Sequence, residues 1–301
     1  MKKLPLVIWT LLIFSGEVLL GQKKAIIIPF QLTAHNNIVV PAILNETDTL
    51  HLMFHTAASD VTLTEDATKK LKSIRFNGTT EGIKSWGGAA NTARYSANNS
   101  LRIGGRLLSG IEIWENKFSG PNTDGKFGLD LFRGQCIQLD FEQKIMLVSP
   151  TLPKKLKRYQ QFKLTIEDEL MFIEASCAFG DTVIIHPFLI HSGYSGGLLL
   201  DDQFASENRL GEKLKITGTK DLKDSYGNVI KTQKAILPGL SIGKNTLSDV
   251  PVGFFEGAIG RQKMSIMGGD VLKRFQIVID LKNGDIYLKG NKLRKEGYGK
   301  E

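Results

Sequence analysis

The chain says most of what it contains twice. FQLT at Phe30–Thr33 returns as FKLT at Phe162–Thr165, and His55-Thr56-Ala57 returns as His191-Ser192-Gly193. LRIGGRLLSGIEI, from Leu101, is echoed by LSIGKNTLSDVPV from Leu240. GLDLFRGQCIQLDFEQKIMLV, from Gly128, is echoed by GGDVLKRFQIVIDLKNGDIYL from Gly268. The separations climb from 132 to 140 residues along the chain and never reverse, as a duplication with small loop insertions requires. Two copies are too few for a solenoid, so the expectation is two pseudo-symmetric lobes, 24–149 and 159–290. Residues 150–158, with two prolines and a Lys/Arg run, form the linker, and 291–301 form a basic tail.

Inside each half the hydrophobic period is two. Ile137, Leu139 and Phe141 alternate with Gln138, Asp140 and Glu142, and Ile277, Ile279 and Leu281 with Val278, Asp280 and Lys282. Asn283-Gly284 is a hairpin turn signal. Asp130 to Arg133 and Asp270 to Lys273 read as short helices, each opened by an aspartate able to cap free amides. The fold class is all-β, of the β-barrel type, with a short helix in each lobe.

Residues 1–21 stand outside that pattern. Lys2 and Lys3 precede an apolar run from Leu4 to Phe14, which breaks into mixed sequence at Ser15. This has the three-part form of a secretory signal and is too short for a spanning helix, with cleavage expected between Gly16 and Gln22. An exported protein, periplasmic or secreted, with no transmembrane segment follows from it. About 280 residues remain, enough for two domains of ordinary size. The net charge of +8 falls largely in runs at the linker and tail, where a solvated basic segment is expected. No basic stripe is interleaved with aromatics, so nucleic acid is not expected as a partner. Cys136 and Cys177 each lie in an apolar stretch and read as buried thiols, though a bridge between them stays open. Asn45-Glu46-Thr47, Asn77-Gly78-Thr79 and Asn98-Asn99-Ser100 match the glycosylation triplet.

Two of the repeated pieces carry the functional question. Leu52-Met53-Phe54 runs into His55-Thr56-Ala57, and Phe188-Leu189-Ile190 runs into His191-Ser192-Gly193. Later come Phe127-Gly128-Leu129-Asp130 and Met267-Gly268-Gly269-Asp270. This order, met twice over residues 24 to 290, resembles the aspartic proteases of the retropepsin-like or pepsin-like fold. Each lobe of that family carries an apolar strand ending in Asp-Thr/Ser-Gly, a flap hairpin, and an apolar-Gly-x-Asp segment opening a short helix. The resemblance implies two lobes joined at a cleft that accepts an extended peptide. It also implies flap turns at Trp86, Gly87 and Gly88 in the first half and at Tyr226 and Gly227 in the second.

The chain departs from the family at its catalytic positions. Histidine stands where both aspartates belong, Ala57 stands where a glycine belongs, and no intact Asp-Thr-Gly or Asp-Ser-Gly occurs elsewhere. The family's chemistry needs two carboxylates about 3 Å apart that share one proton. Two imidazoles carry no net negative charge, and two imidazolium ions would repel, so at least one pKa should fall. Hydrogen bonds from Thr56 and Ser192 to the carboxylates would have to be rearranged.

Four uses of His55 and His191 are open: a filled space bonded to backbone or water, recognition of a ligand in the cleft, a metal site, or another hydrolytic chemistry. A metal site normally takes three or four ligands. His35, His51 and His186 belong to no ligand motif, although alternation puts His51 on the strand face of His55. Ser195 in Gly193-Tyr194-Ser195-Gly196-Gly197 has the G-x-S-x-G form, but Leu198 to Leu200 reads as a strand rather than the helix that motif needs. The expected function is an exported, catalytically inactive pseudoprotease, without cofactor, that binds a peptide or protein segment between the lobes. The alternative is an active peptidase, aspartic-type or dependent on histidine or metal. The oligomeric state is open.

Overall fold

Where two apolar strand faces recur in one chain, each must find a partner, and here the halves find each other. In the computed structural model, which describes residues 25–85, 88–227, 229–255 and 262–299, Ile137 lies opposite Ile279 and Leu139 opposite Ile277, all four fully buried.

The first half supplies β1 (Ile26–Pro29), β2 (Gln31–Leu32), β3 (Ile38–Leu44), β4 (Asp48–Phe54), β5 (Val61–Thr64) and β6 (Gly78–Ser85). It continues with β7 (Gly88–Ile103), β8 (Arg106–Asn116), β9 (Gly125–Phe127), β10 (Cys136–Asp140) and β11 (Ile145–Ser149). The second half supplies β12 (Gln160–Lys163), β13 (Thr165–Glu167), β14 (Leu170–Phe179), β15 (Thr182–Ile190) and β16 (Leu198–Leu199). After these come β17 (Lys215–Lys223), β18 (Val229–Ile242), β19 (Asn245–Phe254), β20 (Ile266–Met267), β21 (Phe275–Asp280) and β22 (Asp285–Gly290).

The two lobes have the same topology. The first is ordered β2-β3-β4-β9-β5-β8-β7-β6, the second β13-β14-β15-β20-β16-β19-β18-β17. A β3–β7 pairing closes the first into a six-strand barrel, and a β14–β18 pairing closes the second. Closure satisfies backbone groups that an open edge would leave unpaired. A third sheet, β1-β11-β10-β21-β22-β12, takes three strands from each half and meets at the β10–β21 pair. The duplication is therefore a pseudo-twofold fold, mostly β, with two barrel lobes and a shared floor.

The helices differ in detail from the sequence expectation. The first-half segment is a 3-10 turn, Leu129–Phe132, and the second-half one is α4, Gly269–Leu272; Gly128 and Gly268 occupy the caps and neither has a side chain to cap with. Asp130 and Asp270 lie inside the first turn instead, two residues past the cap. Three further short helices, α1 (Glu65–Thr68), α2 (Asp202–Glu207) and α3 (Leu210–Lys213), were not foreseen. Thr64 and Asp201 cap the first two through their side-chain oxygens.

Gly128 and Gly268 matter for another reason. A β-carbon at Gly128 would collide with the Ala58 carbonyl, and one at Gly268 with the Gly196 carbonyl. Each glycine lets the later segment of its lobe press against the turn that follows the histidine.

The basic tail is not simply solvated. Arg274, fully buried, donates to the carbonyls of Leu293 and Glu296, Gly299 N donates to Asp270, and Tyr298 stacks on the Arg274 guanidinium at 3.7 Å. The Lys292, Arg294, Lys295 and Glu296 side chains are exposed. Cys136 and Cys177 are free and buried. The Asn45 amide is occupied internally, donating to Ser73 O and to Asn99 Oδ1. Among the described residues no helix is long and apolar enough to cross a membrane; residues 1–21, read as a signal, lie outside them.

Candidate functional site between the lobes

Strand β4 runs parallel to β9, with Phe54 beside Phe127, and β15 runs parallel to β20, with Ile190 beside Met267. Immediately beyond each pair the chain turns. His55 N donates to Phe127 O and His191 N to Met267 O, both at 3.0 Å; Ala58 N closes onto His55 O and Tyr194 N onto His191 O, both at 3.1 Å. The same local chemistry, used twice, brings the two histidines to one place. Their ring centroids are 4.4 Å apart, in an edge-to-face arrangement at 61°.

The turns are locked to each other across the lobes. Thr56 N donates to Ser192 Oγ and Ser192 N to Thr56 Oγ1, each at 3.0 Å. Thr56 Oγ1 donates in turn to Ile190 O at 2.6 Å, and Ser192 Oγ to Phe54 O at 2.7 Å. Both hydroxyls are thus spent on the opposite backbone. Neither hydroxyl bonds an imidazole.

The imidazoles are held differently. His55 is buried, and its Nδ1 accepts from Ala57 N at 3.2 Å, which puts the proton of the neutral ring on Nε2. Its ring lies so close over Gly193 that no β-carbon fits there. His191 is partly buried, and its Nδ1, fully covered, has no hydrogen-bonding partner among the described residues. Burial holds the His55 pKa well below the ordinary value, aided by repulsion from His191 and from Lys126. Burial and Lys126 push His191 down to about 4. Both rings are neutral at neutral pH.

Residues not foreseen from the sequence complete the site. Lys126, in β9, lies beside Met53 of β4 and sends its ammonium to Ser225 Oγ of the other lobe at 3.0 Å. Burial lowers its pKa. The signal was a lysine next to Phe127 where the second copy has Ile266. Asn37 Nδ2 reaches across to the carbonyls of Ser192 and Gly193, both at 3.3 Å, and Asn36 Nδ2 to Ser195 O at 2.9 Å. Lys273 then holds Asn36 Oδ1 at 2.8 Å while pairing with the buried Asp270. By the repeat, Asp168 and Glu169 correspond to the two asparagines, and they lie beside Ala57, Ala58 and Ser59 around a cavity of about 70 Å³.

The expected flap residues divide. Trp86 and Gly87 lie outside the described residues. Gly88 opens β7 at the tip of the β6–β7 hairpin, opposite Ser85. Tyr226 and Gly227 lie at the tip of the β17–β18 hairpin, which touches the first lobe: Lys117 N and Phe118 N donate to Ser225 O, and the Phe118 ring sits 2.9 Å from where a Gly227 β-carbon would stand.

The remaining candidates are elsewhere. His51 is exposed and faces Asp124 at 3.7 Å, away from His55 despite the shared strand face. His186 lines a cavity of about 600 Å³ on the second lobe, with Nε2 at 2.8 Å from Asp201 and 3.0 Å from Ser265 Oγ. One ring nitrogen serves both, and Ser265 Oγ itself donates to Asp201, so the trio has no general base aimed at a nucleophile. Ser195 lies in a strand-turn-strand context before β16, not before a helix. Among the described residues no group of three or more His, Cys, Asp or Glu side chains is placed to hold a metal ion.

No family model matches this sequence, and no curated protein matches it. Among solved structures, the aspartic proteinase from Irpex lacteus superposes with a TM-score of 0.59 at 13% identity, covering 91% of this chain and 99% of that one. The chain thus has the two-lobed, pepsin-like fold of an aspartic proteinase.

Proposed function

We propose that His55 and His191 occupy the paired central positions of an aspartic-protease fold and that the protein binds an extended peptide or protein segment between its lobes without cleaving it. One observation carries this reading: two uncharged imidazoles meet edge to face at the ends of equivalent strands, and no described carboxylate is bonded to either. Peptide hydrolysis on this fold draws on a carboxylate pair that shares a proton, one member taking a proton from water as the other gives one to the carbonyl. His55 has one nitrogen committed to Ala57 N and offers only an N–H at the other. It is therefore a hydrogen-bond donor to whatever lies in the cleft, not a base for water.

Three features support binding between the lobes: a cross-lobe lock, a hairpin tip from the second lobe lying on the first, and the β6–β7 hairpin of the first. An extended segment would engage such hairpins through its main chain. Residues 1–21 support export, periplasmic or secreted.

Incubation of the purified chain with unfolded protein from acid to neutral pH tests this. The expected outcome is no released peptide and no effect of pepstatin, together with saturable binding of extended peptides. Pepstatin-sensitive cleavage that disappears in His55→Ala would overturn it.

A further inference from the structure

We propose that the cleft beside the two imidazoles is a carboxylate-binding site, in which the Lys126 ammonium and the His55 Nε2–H hold an acidic side chain or a free chain terminus of the bound peptide. This names the ligand chemistry of the site above and rests on that peptide-binding reading.

Lys126 alternates out of the first barrel. Gly125 and Phe127, its neighbours in β9, point into the core, where Phe127 packs on Phe54 at 5.4 Å. Lys126 therefore shares the opposite face with Met53, and by alternation with His55, two residues on, just past the strand end. Its charge is felt by both histidines. The only hydrogen-bond partner of its ammonium among the described residues is the neutral hydroxyl of Ser225. Elsewhere two buried cations are paired: Arg274 and Lys273 share Asp270. A cation partly withdrawn from water gains by acquiring a counter-charge. Lys126, partly buried between two lobes with no carboxylate bonded to it among the described residues, where the duplicate position carries Ile266, is a site that a ligand anion completes.

The hydrogen-bonding inventory agrees in sign. His55 presents a donor and Lys126 presents donors. A site of carboxylates would repel an acidic segment; this one attracts it.

The test uses the full chain labelled with 15N-histidine and titrated with three small probes: N-acetyl-glutamate N-methylamide, its glutamine isostere, and N-acetyl-alanine with a free carboxylate. Loss of one charge-assisted hydrogen bond is worth about ten-fold or more in affinity. The expected result is that a carboxylate probe shifts the His55 and His191 nitrogens with at least that preference over the glutamine probe. Lys126→Gln should remove the preference and Lys126→Arg should retain it. Whichever carboxylate probe binds tighter identifies side chain or terminus as the source. Equal binding of the glutamine probe, or a preference unchanged in Lys126→Gln, overturns the proposal. A set of neutral extended peptides separates the two readings: if they bind without acid preference, peptide binding stands and the carboxylate site falls. If the small acid binds at Lys126 and no extended peptide does, the carboxylate site stands and peptide binding falls.

Discussion

Thr56 and Ser192 each hold the other's backbone N–H with a side-chain hydroxyl, at 3.0 Å in both directions and 136 residues apart in sequence. Each hydroxyl in turn donates a hydrogen bond to a carbonyl of the other lobe, so four buried hydrogen bonds form a closed set. Such a set either stands whole or leaves buried groups unpaired.

Thr56→Val keeps the shape and removes the hydroxyl, leaving Ser192 N and Ile190 O without partners; Ser192→Ala does the same to Thr56 N and Phe54 O. Each should lower unfolding stability by about 1–3 kcal/mol in urea denaturation with an unchanged slope. The double variant should lose less than the two losses together, with a coupling of about 0.5 kcal/mol or more. Strict additivity would show that the lock is two independent bonds.

Gly193→Ala places a methyl where the His55 ring lies, so it should unseat the ring and destabilise the protein by about 1–3 kcal/mol. In a His55→Ala background the same change should cost almost nothing, because the obstructing ring is gone. A thermal-melt cycle over the four variants measures this. An equal cost in both backgrounds would mean that backbone conformation, not the imidazole, demands glycine there.

The depressed imidazole pKa values fix the direction of the pH response. The unfolded chain protonates its histidines near 6.5, the folded chain only lower, at about 4 for His191. Between those values the unfolded state binds more protons. Stability is therefore fully present above pH 6.5 and falls as the solution is acidified toward pH 4. For His191 that interval is worth about 3 kcal/mol, with His55 adding in the same direction. Melts at pH 7 and pH 4.5 should show the loss, and His55→Gln with His191→Gln should reduce it. A wild-type profile parallel to that of the double variant would place the rings in contact with water.

The sequence carried the architecture because duplication is a pattern, and patterns survive without coordinates. Matched separations gave two lobes, and alternation at Ile137 and Ile277 gave the strands that turn out to pair at the shared floor. It carried the histidines because they end equivalent apolar strands. What it could not carry is anything that depends on one copy facing the other. The Thr56–Ser192 lock, Asn37 reaching Ser192 and Lys126 reaching Ser225 all cross between lobes and have no spacing to betray them. The capping aspartates were misplaced for a local reason. An extended glycine at 128 and at 268 already occupies the cap, because the following turn must pass close to a carbonyl that excludes any side chain. The charge of the tail implies a solvated segment, but its backbone, not its lysines, is what Arg274 binds.

On the proposed reading of the site, placing two carboxylates at positions 55 and 191 should not by itself make a peptidase, and Lys126 is the reason. In His55→Asp with His191→Asp the scaffold is unchanged and the double variant should fold. Either single substitution instead leaves one carboxylate against one imidazole, which raises the remaining histidine's pKa and fixes the pair as an ion pair. With both aspartates in place, the Lys126 ammonium, whose charge already bears on both positions, stabilises the doubly ionised form and drives off the shared proton that hydrolysis requires. Adding Lys126→Ile, the residue that the second lobe carries at 266, removes that charge. The expected outcome is a folded, inactive double variant and a triple variant whose carboxylate pair titrates with its upper apparent pKa about one unit higher, followed by 13C NMR of the two carboxyl groups. Pepstatin should stabilise the triple variant more than the double, since the inhibitor answers to the shared proton. An identical upper pKa in the two variants would show that Lys126 points away from the pair, and the charge argument for this cleft would have to be withdrawn.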